Sequence, residues 1–69
     1  RAFIVAGAEA LIMSLWKVDD EATQALMTNF YRSWIQSGNK LKAFKEAQLQ
    51  LMQTFKEPYY WGAFVMIGQ

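Results

Sequence analysis

Cysteine and histidine are both absent from the 69 residues. Without them a small fold has neither disulfides nor zinc as staples. A Cys–His dyad, a Ser–His–Asp triad and a c-type haem are likewise excluded within these residues. Proline occurs once, at Pro58, and the four glycines, Gly7, Gly38, Gly62 and Gly68, are scattered. They form neither a phosphate loop nor a dinucleotide fingerprint. No apolar stretch reaches the roughly 18 residues that a membrane span requires. Arg1 leads straight into periodic sequence, with no basic region followed by an apolar core of the signal-peptide kind. An excess of one charge is also missing: seven basic residues against six acidic leave +1. That balance singles out no nucleic-acid partner.

Apolar material is what the chain has in plenty. Hydrophobic residues make up 54% and aromatics 16%, more than so short a chain readily hides. At this length, burial barely offsets conformational entropy. The chain starts without Met and reads as a piece of something larger.

The residues RAFIVAGA (1–8) read as the last turns of a helix, with Gly7 as the left-handed residue that ends it. EALIMSLW (9–16) is a short apolar run that suits a strand. Leu11, Met13 and Leu15 would then point one way, and Ala10, Ile12, Ser14 and Trp16 the other. Both faces are nearly apolar, as in a sheet covered by helices on both sides. From Asp20 to Ser37 the period becomes helical, with Ala22, Leu26, Phe30 and Trp34 on one ridge and Met27, Tyr31 and Ile35 beside it. Gly38 closes that helix and Asn39 caps the next. There Leu41, Phe44, Gln48, Leu51 and Phe55 form the apolar stripe, and Pro58 marks the stop. WGAFVMIG (61–68) is a second strand candidate. Two helices in succession return the chain to the sheet end it left, so neighbouring strands should be antiparallel.

The predicted order is therefore helix end, strand, helix, helix, strand. Two strands apolar on both faces exceed what two and a half helices can cover, and their open edges would pair with further strands. The expected fold class is α/β, as the tail of a larger α/β sandwich.

Three blocks taken in order carry a family resemblance: RAFIVAGAEALIMSLWKVDDEATQALMTNFYRSW, AFKEAQLQLM and PYYWGAFVMIG. Together they resemble the C-terminal part of the CHAT domain, a caspase- and separase-like cysteine peptidase domain often found in bacteria beside tetratricopeptide repeats. The shared pattern runs R-A-F…A-G-A, S-L-W, V-D-D-x-A-T, L-M…F-Y, A-L…A-Q and Y-Y/W-x-A-F-x-x-x-G. It covers essentially the whole chain. No single block is specific; the ordered set is. Departures are minor, with Lys17 where Pro is common and Phe44 where Leu is.

The resemblance implies a caspase-like three-layer α/β/α sandwich, with residues 1–69 as the C-terminal, small-subunit-like part of a single CHAT-type peptidase domain. The family's catalytic His and Cys lie upstream, so no catalytic residue carries over to any position here. No cofactor and no metal is expected. The expected partners are the upstream half of the same domain, a protein or peptide substrate and a tetratricopeptide-repeat region, with no nucleic acid and no membrane. The expected location is cytoplasmic. The reading from a different class is a non-catalytic interaction module on a degenerate CHAT-like fold.

Four residues are candidates for a substrate pocket: Ser14, Trp16, Asp19 and Asp20. Asp19 and Asp20 have a plain role, capping the helix and placing negative charge at the positive end of its dipole. They also follow directly from a strand's carboxyl end, where open α/β sheets bind ligands. One would cap and the other could face a pocket. In related peptidases the corresponding loop borders the primary specificity pocket, and the backbone near 14–17 could pair with an extended substrate. Trp16 reads first as a core or pocket-wall residue. Lys40, Lys42, Lys45 and Lys56, mixed with Glu46 and Glu57, read as a solvated surface rather than a phosphate-binding face. Gln48 should satisfy a neighbouring backbone group, and Tyr59, Tyr60 and Trp61 should anchor the approach to the last strand. The isolated chain is expected to self-associate or to be partly ordered.

Overall fold

The computed structural model describes residues 2–5, 7 and 9–68. Strand β1 (Ala2–Val5) and strand β2 (Ala10–Ser14) form a hairpin, followed by α1 (Asp20–Ser37), α2 (Lys40–Thr54), the single turn α3 (Pro58–Trp61) and strand β3 (Phe64–Gly68). The sheet is antiparallel in the order β1-β2-β3. The fold is mixed α/β, as expected of a fragment of a caspase-like sandwich.

One predicted element is corrected. Residues 2–5 are extended and pair with β2, Val5 opposite Ala10 and Phe3 opposite Ile12, so the segment is a strand and not the end of a helix. Phe3, Ile4 and Val5 are aromatic and β-branched, which favours a pleated surface. The run is also too short for its period to separate strand from helix. Gly7 does take the left-handed conformation, with φ 79°, but it turns a hairpin. A positive φ serves that purpose as readily as a helix end.

The hairpin's alternation splits the sheet into two unlike faces. Val5, Ala10, Ile12 and Phe64 point inward and share the core with Ala22, Leu26 and Phe30 of α1 and Ala43, Ala47 and Leu51 of α2. The outward rows are Ala2–Met13–Val65 and Ile4–Leu11–Ile67. None of these six is buried. Both helices therefore serve one side, and the described residues supply two layers of the three-layer sandwich.

Local chemistry sets the helix boundaries. Asp19 stands in extended backbone and its Oδ1 accepts the Ala22 N–H at 2.8 Å, opening α1. Gly38, at φ 70°, donates its N–H to Trp34 and closes it. Asn39 follows at once, its Oδ1 accepting from the Lys42 N–H at 3.1 Å. With so short a link, α1 and α2 must fold back on each other.

Of the predicted α1 ridge, Ala22, Leu26 and Phe30 are fully buried and Trp34 is half-buried, while Ile35, expected beside it, is exposed. On α2 the stripe lies further round than its largest residues suggest: Ala43, Ala47 and Leu51 are innermost, while Phe44, Gln48 and Phe55 flank them and Leu41 is exposed. Large side chains on α1 need small ones opposite, so the alanines take the centre. The two strands connected through the helices, β2 and β3, run antiparallel as predicted. At their far end Gly68 faces Ala10, and a Cβ there would sit 2.6 Å from the Glu9 carbonyl oxygen. Only glycine permits that approach. Among the described residues, no helix is long and apolar enough to cross a membrane.

Candidate functional site

The connection from β2 to α1, residues 15–19, is held from both sides. On one side, the Leu15 N–H donates to the Ala63 carbonyl at 2.7 Å. On the other, α3 clasps the loop: the Trp16 Nε1–H donates to the Tyr59 carbonyl at 2.9 Å, and the Tyr59 hydroxyl donates to the Lys17 carbonyl. The Trp16 and Tyr59 rings lie 6.3 Å apart. Trp61 and Gln48 complete the support, the Gln48 amide donating to the Trp61 carbonyl at 2.8 Å and Trp61 Nε1–H to the Lys56 carbonyl at 3.2 Å. The aromatic triplet after Pro58 thus anchors the approach to β3, and Gln48 satisfies a backbone group, both as predicted. Val18 is buried and pins the loop's middle to the core.

This scaffold shapes a cavity of about 310 Å³ lined by Ser14, Lys17, Val18, Asp20 and Thr23. Ser14 is the last residue of β2 and points to the helix side of the sheet, in register with Phe64. Asp20 and Thr23 are separated by three positions on the first turn of α1, so they share a face. The two aspartates are distinguished by geometry. Asp19 is committed to capping through Ala22, and its carbonyl also accepts from the Thr23 hydroxyl at 3.2 Å. Asp20 is the one that lines the cavity.

Of the four sequence candidates, the structure brings Ser14 and Asp20 together. Trp16 lies outside the cavity lining as part of the clasp, and Asp19 caps the helix. The backbone at 14–17 is less free than an added strand would need, since the Leu15 N–H and the Lys17 carbonyl already have partners. Sequence reasoning missed Lys17, Val18 and Thr23. The i, i+3 spacing from Asp20 could have found Thr23. No local signal marks Tyr59 as the holder of a loop 42 residues away.

The assignment of Asp19 has a direct consequence for stability. Asp19→Ala should cost about 1 kcal/mol, the usual value of a lost side-chain cap, while Asp19→Asn should be nearly neutral. Urea denaturation of both variants checks this.

A family model for the CHAT domain matches residues 1–69. The chain belongs to the CHAT domain family. It is similar to tetratricopeptide repeat protein 28 of Homo sapiens, 34% identical over 70 residues. It is also 31% identical over 70 residues to tetratricopeptide repeat protein 28 of Mus musculus. Each match covers 99% of this chain and 3% of the relative, so this CHAT segment spans a small part of either protein's length. No solved structure matches the chain.

The cavity of this CHAT segment contains one carboxylate and one ammonium group, Asp20 and Lys17. Asp20 stands at the start of a helix, where backbone N–H groups already favour negative charge. Lys17 is exposed, and its long stem lets the ammonium turn out to solvent. Ser14 and Thr23 add two hydroxyls to the same lining, at the carboxyl end of β2.

Proposed function

We propose that this chain is the C-terminal, small-subunit-like segment of a CHAT-type cysteine endopeptidase domain, completing its central sheet and walling its substrate groove. It is not catalytic alone, because it has neither the Cys nor the His such chemistry uses. The observation that carries this reading is the outward sheet face, where Ile4, Leu11, Met13, Val65 and Ile67 form an apolar surface without a covering helix among the described residues. A third layer supplied by the rest of the domain would cover it. The edge of β1 offers backbone groups to further strands. The mammalian relatives are named for tetratricopeptide repeats, which supports such a region as a neighbour in the whole protein. A cytoplasmic location goes with this reading.

Asp20 then faces the groove and favours a basic side chain immediately before the scissile bond. A charged hydrogen-bonded pair contributes about 1.5–3 kcal/mol, or roughly ten- to a hundredfold in kcat/KM. Asp20→Asn in the whole protease should lower cleavage after Arg and Lys by that factor, while Asp19→Asn leaves the profile unchanged. An unaltered preference in Asp20→Asn would reject the specificity assignment. A whole protein that cleaves no peptide in any profile would leave the interaction-module reading instead.

A further inference from the structure

Residues of α2 and Met66 of β3 line a groove of about 590 Å³. Its apolar lining is Phe44 and Met66, both half-buried, with Leu41 exposed at one side. Lys42 and Lys45 stand on its rim, and no carboxylate lines it. Neither ammonium group has an ion-pair partner among the described residues. The sequence spreads its lysines along α2 without marking a face. The fold gathers these two, three positions apart, over one apolar floor. Gln48 is held to the Trp61 carbonyl, which fixes the groove's inner wall.

Among the described residues, β3 is an outer strand of the sheet, paired on one side with β2. Its other side presents main-chain donors and acceptors beside the groove. A free edge of that kind is a template for an added strand.

We propose that this groove docks an acidic peptide segment of a protein partner, extended along β3, with one apolar side chain seated on Phe44 and Met66 and its carboxylates toward Lys42 and Lys45. Charge complementarity selects the occupant: two unpaired cations around an apolar floor disfavour a basic segment and leave a purely apolar one without its ionic contacts. The assignment does not rest on the peptidase reading, because the groove shares no lining residue with the loop cavity.

The test uses the whole protein and a fluorescein-labelled nine-residue peptide of glutamates with one central leucine. Companion probes replace the leucine by glutamate, the glutamates by lysine, or the peptide by single-stranded DNA of equal charge. Lys42→Glu with Lys45→Glu should weaken the leucine-bearing acidic peptide by roughly tenfold at low salt, a difference that shrinks as ionic strength rises. Leu41→Ser, an exposed change, should weaken it without altering the salt dependence. All variants should keep the parent's melting temperature. Equal binding by the charge-reversed variant overturns the proposal. So does binding of the DNA or the all-glutamate probe as tight as that of the anchored peptide, which would make the site a general polyanion surface. Reversal that abolishes self-association without affecting any probe would also overturn it, since the occupant would then be a second copy.

Discussion

Phe30→Ala is expected to destabilise the fold by about 3–5 kcal/mol, the cost of emptying a large buried aromatic site. Phe30 is completely buried at the centre of α1, with the Tyr31 and Trp34 rings 5.3 and 5.7 Å away. Domains are stable by only roughly 0.05–0.15 kcal/mol per residue, so in a chain this short the loss is comparable to the total. The helical layer should lose its fixed packing, seen as a collapse of the near-ultraviolet aromatic signal. Ile35→Ala is the matched control. It lies on the same helix but is 83% exposed, and it should change stability by no more than about 0.5 kcal/mol. Equal effects at the two positions would mean that α1 turns a different face to the sheet.

Replacing Ile4 and Ile67 with lysine has the second large effect, and its sign depends on context. Both residues occupy the outward row through Leu11, at 83% and 52% exposure. In the isolated chain the two changes remove apolar contacts worth about 3–6 kcal/mol when covered, so self-association should weaken by at least about two decades. In a complete domain the same lysines would be driven under a covering layer. Burying an unpaired charge is costly, so folding yield should fall. Improved behaviour of the isolated chain together with loss of the whole protein is the expected pair of results. An innocuous double variant in both settings would show that nothing covers this face.

Much of this was legible in the residues. The boundaries of α1 and α2 follow from Asp19, Gly38 and Asn39, whose capping chemistry is local and therefore visible in sequence. The antiparallel relation of β2 and β3 follows from two intervening helices. The hairpin strand was not legible, because Ala2–Val5 is apolar over too few residues to display a period, and Gly7 serves a helix end and a turn equally well. The α2 stripe was displaced for a different reason: the eye follows large apolar residues, whereas the helix pair is seated on Ala43 and Ala47. At the site, the sequence supplied two adjacent aspartates with two roles but not their division. That division is a matter of which carboxylate reaches the Ala22 N–H. The clasp from Tyr59 and the lysine-rimmed groove are products of long-range folding, and no short stretch announces them.

The sheet's outward face requires cover that the described residues do not provide. Sedimentation velocity of the 69-residue chain across a concentration series, with its thermal melt followed alongside, tests that claim most directly. The expected result is mass-action growth of associated species and a broad, weakly cooperative transition. A monodisperse monomer at every concentration, melting sharply, would contradict it.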